Sequence, residues 1–341
     1  IKELLDKNNQ VTIALPYGEL VEPLVAMGCD FIDTPMERRT INPLKDFLLL
    51  IRYYKIARRA KPDMVITYTI KPNIYGGIIS RFLRIPYAVN ITGLGTAFEK
   101  KGLLRSLVIF LYKAACRKAK VVFFENEENL QRFIKYKIIK KEQGYKLNGA
   151  GVNLSEYPFT EYPEKDSTIR FLFIGRVMKE KGVEEFFEAA RRLKEDYPQV
   201  CFDIVGPYED NYKATIDKLQ NEGVISYYGY QKDVRPFIEH CHCFVLPSYH
   251  EGMSNTLLEA GAMGRPIITS RVHGCIEAVE DGKNGFLIRI KDAFDLYAKM
   301  KRFLMLTYER RCYMGVNSHE LIERSFDKEE IVNMTIKRLE I

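Results

Sequence analysis

His250-Glu251-Gly252-Met253-Ser254-Asn255-Thr256-Leu257-Leu258-Glu259-Ala260 decides how this chain is read. A strand-like run, Cys243-Phe244-Val245-Leu246-Pro247-Ser248, precedes it. Ser254 suits a helix N-cap and Thr256-Leu257-Leu258-Glu259-Ala260 a first helical stretch. Glu251 then falls in the loop at a strand's carboxyl end, and Glu259 about a turn and a half into the helix. Between them, the free N–H groups of a helix start make an anion site. One carboxylate near a reacting centre, amides for a phosphate and a second carboxylate for paired hydroxyls together describe a site for a nucleotide-linked sugar. An ordinary capped helix with a surface glutamate is the alternative.

A second stretch favours the site. Phe171-Leu172-Phe173-Ile174-Gly175 reads as a buried strand and runs into Arg176-Val177-Met178-Lys179-Glu180-Lys181-Gly182-Val183 and a helix from Glu184 to Leu193. Arg176 and Lys181 flank the turn at the strand's carboxyl end, where open α/β sheets bind ligands. Preorganised cations there stabilise a leaving diphosphate by roughly 3 kcal/mol per well-placed group. Either residue alone could be a solvated loop charge. Two strand-to-helix junctions, with Arg176 and Glu251 75 positions apart, fit that reading poorly.

The Glu-x7-Glu and Gly-Arg-x4-Lys-Gly patterns resemble those of retaining glycosyltransferases of family 4. The resemblance implies a GT-B architecture: an α/β chain with two Rossmann-like domains, parallel sheets facing across a cleft, and a C-terminal helix crossing back to the first domain. It implies that Gly175, Arg176 and Lys181 hold the donor diphosphate. Amides of Asn255, Thr256 and Leu257, in a loop with Gly252, Met253 and Ser254, would hold the distal phosphate. Glu259 would accept from both ribose hydroxyls and Glu251 would contact the transferred sugar. Tyr230 and Gln231 match the base-contacting loop. Thr92 and Gly93, in Asn90-Ile91-Thr92-Gly93-Leu94-Gly95-Thr96-Ala97-Phe98, stand where many members place a sugar-contacting histidine. No protein nucleophile is implied; the leaving diphosphate takes the acceptor's proton. Thr69-Ile70-Lys71-Pro72-Asn73-Ile74-Tyr75-Gly76 with the Thr92 loop resembles a narrower group: bacterial capsular, O-antigen and N-glycan transferases acting on polyprenyl-diphosphate sugars, similar to α-1,3-N-acetylgalactosaminyltransferases. Lys71 either faces the cleft or is solvated at a helix start.

Composition sets bounds. The 341 residues suffice for two domains at about 150 each. The strongest apolar run, Leu107-Val108-Ile109-Phe110-Leu111, is far short of the roughly 20 residues of a spanning helix. Seven cysteines at irregular spacing suit free thiols in a reducing cytoplasm. His240-Cys241-His242-Cys243 alternates between faces of a strand, so the four cannot converge on one ion. No Asp-x-Asp occurs, and neither a metal nor another cofactor is expected beyond a UDP-sugar co-substrate. Residues 1–165 hold 27 Lys and Arg against 17 Asp and Glu; the remainder is slightly acidic. From Arg38 to Lys120, 18 basic residues face only three acidic ones, Asp46, Asp63 and Glu99. Such a half is drawn to polyanions or anionic lipid.

Strands alternate with helices throughout, which predicts parallel sheets. The first half reads as strands near Val11–Leu15, Phe31–Thr34, Met64–Thr69, Pro86–Ile91 and Val121–Phe124. Basic helices with apolar residues fall at Pro43–Ala60 (Leu44, Phe47, Leu48, Ile51, Tyr54) and near Leu103–Lys118 (Leu107, Phe110, Leu111). That spacing usually means core; the flanking lysines and arginines also permit an interfacial helix. A doubly wound domain should open with a strand and glycine loop, so about 20 further residues are expected before Ile1. Proline-marked Pro158–Asp166 is a candidate linker. The expected domains are 1–160, acceptor-binding; 161–324, nucleotide-sugar-binding; and 325–341, a terminal helix on the first. The expected function is retaining transfer from a UDP-sugar, best an N-acetylhexosamine, to a polyprenyl-diphosphate-linked saccharide. It would act at the cytoplasmic membrane face, with an anionic membrane surface and no nucleic acid as partner. The alternatives are a sugar-nucleotide 2-epimerase of the same fold and a non-catalytic polyanion binder.

Overall fold

The computed structural model describes residues 1–36, 42–94, 98, 102–165 and 168–340. Gly95, Thr96 and Ala97 of the glycine loop, parts of the basic tract and Asp166 lie outside the described residues. The chain divides into two compact units. The first comprises Ile1–Phe124, Asn129–Lys146 and Thr335–Ile341; the second comprises Glu125–Glu128 and Leu147–Met334.

In the first unit, β1 (Thr12–Leu15) pairs in parallel with β2 (Asp30–Asp33). A second parallel sheet has the order β3 (Val65–Tyr68), β4 (Tyr87–Ile91), β5 (Val121–Phe124) and β6 (Gly144–Lys146). Every residue of β4 and β5 is buried. A strand covered on both faces needs such an unbroken apolar run. β6 escapes sequence reading because three residues are too few for any period. Helix Pro43–Ala60 begins as its residues dictate: the Asn42 side chain accepts from the Leu44 and Lys45 amides, with proline at the first helical position.

Two expectations for this unit need correction. Lys71 is not solvated: its Nζ lies 2.7 Å from Asp46 Oδ1, and both side chains are almost covered. A π-helical turn, Pro72–Gly76, follows it, where a plain helix start was expected. The apolar spacing of the two basic helices does not mean core throughout. Leu49, Val108 and Tyr112 carry the buried face, whereas Leu103 is 91% exposed, Leu44 71% and Phe110 67%. Phe47, Leu48 and Leu107 are exposed as well. The periodicity is genuine, but only one stripe of each helix is buried.

The second unit is one parallel sheet of six strands in the order β9-β8-β7-β10-β11-β12. These are β7 (Arg170–Ile174), β8 (Cys201–Val205), β9 (Ser226–Tyr227), β10 (Cys243–Leu246), β11 (Ile267–Ser270) and β12 (Gly285–Ile288). This is the doubly wound order, and the winding reverses between β7 and β10. Loops leaving adjacent carboxyl ends in opposite directions open a crevice there. Both motif stretches are carried by these two strands. The His-Cys-His-Cys stretch enters β10 as core: Cys241 and Cys243 are buried and the His242 ring accepts the Arg170 amide at 3.2 Å. Burial pushes His242 down to about 4, so its ring stays neutral.

The candidate linker is tied down. Tyr162 donates to His242 O at 3.0 Å, the Thr160 hydroxyl to Met263 O at 3.2 Å, and buried Arg265 to Thr160 and Glu161. The second unit accordingly takes up the chain from Leu147. The terminal helix, Lys328–Leu339, begins in the second unit and ends in the first. There Lys120 Nζ holds Leu339 O and Glu340 Oε2, each at 2.7 Å. No described helix is long and apolar enough to cross a membrane.

Candidate functional site

The site is built where β7 and β10 deliver their loops. After β7, residues Lys179–Lys181 form a single 3-10 turn closed by Gly182, whose φ is +73°. A Cβ at Gly182 would stand 2.0 Å from Pro247 O. Glycine alone lets the two loops lie this close. Ser248 Oγ and the Tyr249 amide both donate to Glu180 O, at 3.1 and 2.9 Å. Tyr249 also bonds the Glu185 carboxylate at 2.8 Å, which together with burial pushes its phenol up. These bonds bring Lys181 Nζ to 2.6 Å from Glu251 Oε1, with both side chains mostly covered. Arg176 is half-exposed and pairs with Glu209 Oε2 at 3.3 Å. The Gly175 amide is spent on Val205 O at 2.9 Å.

The loop into helix Asn255–Ala262 differs from expectation in detail. Ser254 holds the N-cap position, but its hydroxyl makes no cap bond and lies 3.3 Å from Thr256 Oγ1. The Ser254 carbonyl accepts the Leu257 and Leu258 amides at 3.2 and 3.3 Å, so the Leu257 amide is not spare for a phosphate. The Ser254 amide donates to Gly274 O, and the Met253 amide lies near the Glu125 carboxylate. Asn255 and Thr256 remain, with amides that have no partner among the described residues. They point from a helix start where an anion is stabilised.

The two glutamates live in different surroundings. Glu251 is held by Lys181. Glu259 has no side-chain partner among the described residues; burial first, and Glu156 nearby, push it up to about 7. A covered carboxylate with no cation is suited to neutral donors such as a pair of hydroxyls. Tyr230 is exposed, and the Gln231 amide donates to Tyr228 O at 2.7 Å within its own loop. Thr92 and Gly93 are half-buried at the carboxyl end of β4, in the first unit. Sequence reading missed Asn126, Glu125 and Gly274, all of which touch the Glu251 loop. Their signal was slight: two polar residues directly after a buried strand, and one glycine in an unremarked loop.

Comparison with known proteins identifies the family. Residues 159–320 match the family of glycosyl transferases group 1, and residues 1–126 match the glycosyl transferase 4-like family. A Campylobacter jejuni N,N'-diacetylbacillosaminyl-diphospho-undecaprenol α-1,3-N-acetylgalactosaminyltransferase is 30% identical, covering 89% of this chain and 84% of its own. The chain is a group 1 glycosyltransferase. An Escherichia coli UDP-Gal:α-D-GlcNAc-diphosphoundecaprenol α-1,3-galactosyltransferase is 28% identical over 74% of this chain and 69% of that one. Among solved structures, Anabaena HepE in complex with UDP and glucose superposes with a TM-score of 0.80 at 18% identity, covering 96% of this chain and 91% of that one. A glycosyltransferase from Rickettsia africae gives 0.79 at 17%, covering 99% and 91%. The fold is therefore GT-B. Transferase relatives favour transfer over the epimerase and polyanion-binding alternatives of this glycosyltransferase's sequence.

Three outcomes are expected. Gly182→Ala should lower the thermal midpoint and cut UDP affinity at least tenfold, because the β7 loop must move off Pro247; wild-type values for both would show the approach is not needed. Glu251→Gln, by releasing Lys181, should tighten UDP binding roughly two- to tenfold, whereas Glu259→Gln should weaken it by about 1.5–3 kcal/mol. Titration calorimetry reads both, and a like-signed change would refute the separate roles. The third concerns pH. Because Glu259 is raised in the folded state, its proton stabilises the fold at low pH, and that contribution is lost as pH rises through about 7. Ribose hydroxyls favour the ionised form, so UDP affinity should climb through the same range. The phosphate's own ionisation near 6 adds a step common to all variants. Glu259→Gln should retain only that common step; an unchanged profile would remove Glu259 from the ribose.

Proposed function

We propose that this glycosyltransferase moves a sugar, best an N-acetylhexosamine such as N-acetylgalactosamine, from UDP to a hydroxyl of a polyprenyl-diphosphate-linked saccharide. The observation that carries the reading is the partnerless, covered Glu259 carboxylate one turn from the unpartnered Asn255 and Thr256 amides, at the sheet's switch point. In this reading Glu259 accepts the two ribose hydroxyls. The amides of Asn255 and Thr256 hold the distal phosphate. Arg176 and Lys181 leave their carboxylate partners for the diphosphate, whose negative charge grows as the sugar bond breaks. Glu251, relieved of Lys181, accepts a hydroxyl of the transferred sugar. The backbone around Tyr230 and Gln231 reads the uracil edge. Thr92 and Gly93 serve the sugar from the first domain. The acceptor hydroxyl attacks the anomeric carbon on the face the diphosphate leaves, its proton passes to that diphosphate, and configuration is retained. The relatives' names, both diphospho-undecaprenol transferases, support the acceptor class.

Two cations and two helix-start amides can balance a diphosphate without a metal ion. Activity should therefore persist in EDTA; abolition by EDTA with restoration by Mn²⁺ would contradict the scheme.

The reading also places the protein on the inner face of the cytoplasmic membrane. Leu44, Phe47 and Leu48 on helix Pro43–Ala60, and Leu103, Leu107 and Phe110 on helix Leu103–Cys116, are exposed beside Lys45, Arg52, Arg105 and Lys113. Tyr54 and Phe82, on the neighbouring helix Gly77–Leu83, bring their rings to 6.3 Å on the same unit. Exposed apolar side chains among cations fit an anionic bilayer, each basic residue contributing up to about 1 kcal/mol near the surface. The protein should sediment with vesicles containing anionic lipid and be released by salt. Leu103→Ser with Phe110→Ser should abolish sedimentation and transfer to a lipid acceptor while leaving UDP binding unchanged. Equal sedimentation by wild type and variant would dissociate this face from the membrane.

A further inference from the structure

We infer that Glu125 and Asn126 are positioning residues that clamp the loop carrying Glu251, and so set the aim of that carboxylate. The inference rests on the donor-site reading above for its consequence, but the clamp itself is a feature of the free protein.

The dipeptide follows β5 directly and belongs to the second unit. Asn126 is 1% exposed. Its Nδ2 donates to Gly252 O at 2.8 Å and to Glu251 O at 3.3 Å. The next residue of the loop, Met253, has its amide near enough to the Glu125 carboxylate to favour its ionised form. Two consecutive carbonyls are thus held by one buried side chain, with Glu125 beside the residue that follows. The loop's opposite face is closed by Gly274, whose φ is +85°. A Cβ at Gly274 would meet Gly252 O at 2.6 Å and Glu251 Cβ at 2.8 Å. The Ser254 amide donates to Gly274 O at 3.1 Å, which fixes the loop's exit. Asn126 and Gly274 thus hold the loop's carbonyls and its exit amide. The Glu251 side chain is left on Lys181 Nζ at 2.6 Å.

Charge fits the same picture. Glu125 and Glu251 lie near each other, with Lys181 the ammonium paired to Glu251. Burial first, and the neighbouring Glu251 last, push Glu125 up to about 8, against the pull of the Met253 amide. A protonated Glu125 still offers its carbonyl oxygen to that amide and leaves one carboxylate for one ammonium. A neutral amide of the same shape should do the same work. The side chain acts through the loop rather than on substrate.

Hydrogen exchange of the ligand-free protein tests the clamp directly. The Met253 amide should be protected in the wild type and exchange at least tenfold faster in Glu125→Ala and in Asn126→Ala, with protection restored in Glu125→Gln. Binding then tests the consequence. The wild type should prefer UDP-N-acetylgalactosamine to UDP, and both alanine variants should lose about fivefold or more of that preference while UDP affinity stays within about threefold. Glu125→Gln should keep the preference. If Asn126→Ala does not fold, the Glu125→Ala and Glu125→Gln pair carries the same comparison. Unchanged exchange in the alanine variants, or a Glu125→Gln as impaired as Glu125→Ala, would overturn the inference, as would equal losses for UDP and UDP-sugar. A wild type that binds no UDP yet shows the exchange pattern would keep the clamp and refute the donor site.

Discussion

The close approach of the loops after β7 and β10 is the constraint on which the second unit's chemistry depends. Gly182 makes it sterically possible, because any Cβ there would collide with Pro247 O. The Glu180 carbonyl makes it specific by accepting from both Ser248 and Tyr249. The result is a lysine and a glutamate, 70 residues apart in the chain, sharing one short ion pair. Covering such a pair costs desolvation that a hydrophobic pair would not incur, so it is poorly explained as a device for stability. It is well explained as a site held in readiness. In the proposed reading each partner is aimed by the other until a ligand supplies both an anion and a hydroxyl.

The contrast between Glu251 and Glu259 follows from the same economy of charge. Glu251 sits beside an ammonium that a diphosphate would claim, so its electrostatic surroundings change when donor arrives. Glu259 has no cation to lose. Burial lifts it to about 7, a range in which hydrogen-bond donors that bring no charge can still select the ionised form. A phosphate next to Glu259 would be repelled; a diol would not. In the proposed reading the helix start separates the two roles, its amides serving a phosphate and the carboxylates neutral donors.

Much of this was legible in the sequence, and for identifiable reasons. β5 was placed to the residue because an unbroken apolar run bounded by polar residues has few other uses in an alternating chain. The loops after Gly175 and Ser248 were legible because glycine, cations and carboxylates stand together directly after such runs. What the sequence hides is partnership. Nothing in the letters says that Leu257 would give its amide to Ser254, or that Met253 would face Glu125 rather than a phosphate. Both outcomes depend on backbone angles of a few residues and on a segment more than a hundred positions away. The same limit explains the basic helices. Period 3.6 identifies an apolar stripe but not its width, so Leu49 and Val108 could not be told from Leu48 and Leu107 without the neighbouring elements they pack on.

That division of the helix faces bears on how a water-borne nucleotide sugar and a lipid-borne acceptor could meet on one protein. The first 165 residues carry ten more basic than acidic side chains, whereas the residues proposed to bind the nucleotide lie in the slightly acidic remainder. A donor diphosphate needs only the local cations Arg176 and Lys181, so the basic excess elsewhere has no donor to serve. Long-range charge falls away within about 10 Å at physiological salt, which suits a bilayer a helix can touch and not a site deeper in the protein. The exposed Leu103 and Phe110 extend that argument from charge to burial: both side chains gain more from an acyl boundary than from water. In the proposed reading, a face that combines charge with exposed apolar area adheres reversibly, and reversibility suits an enzyme moving between anchored acceptors.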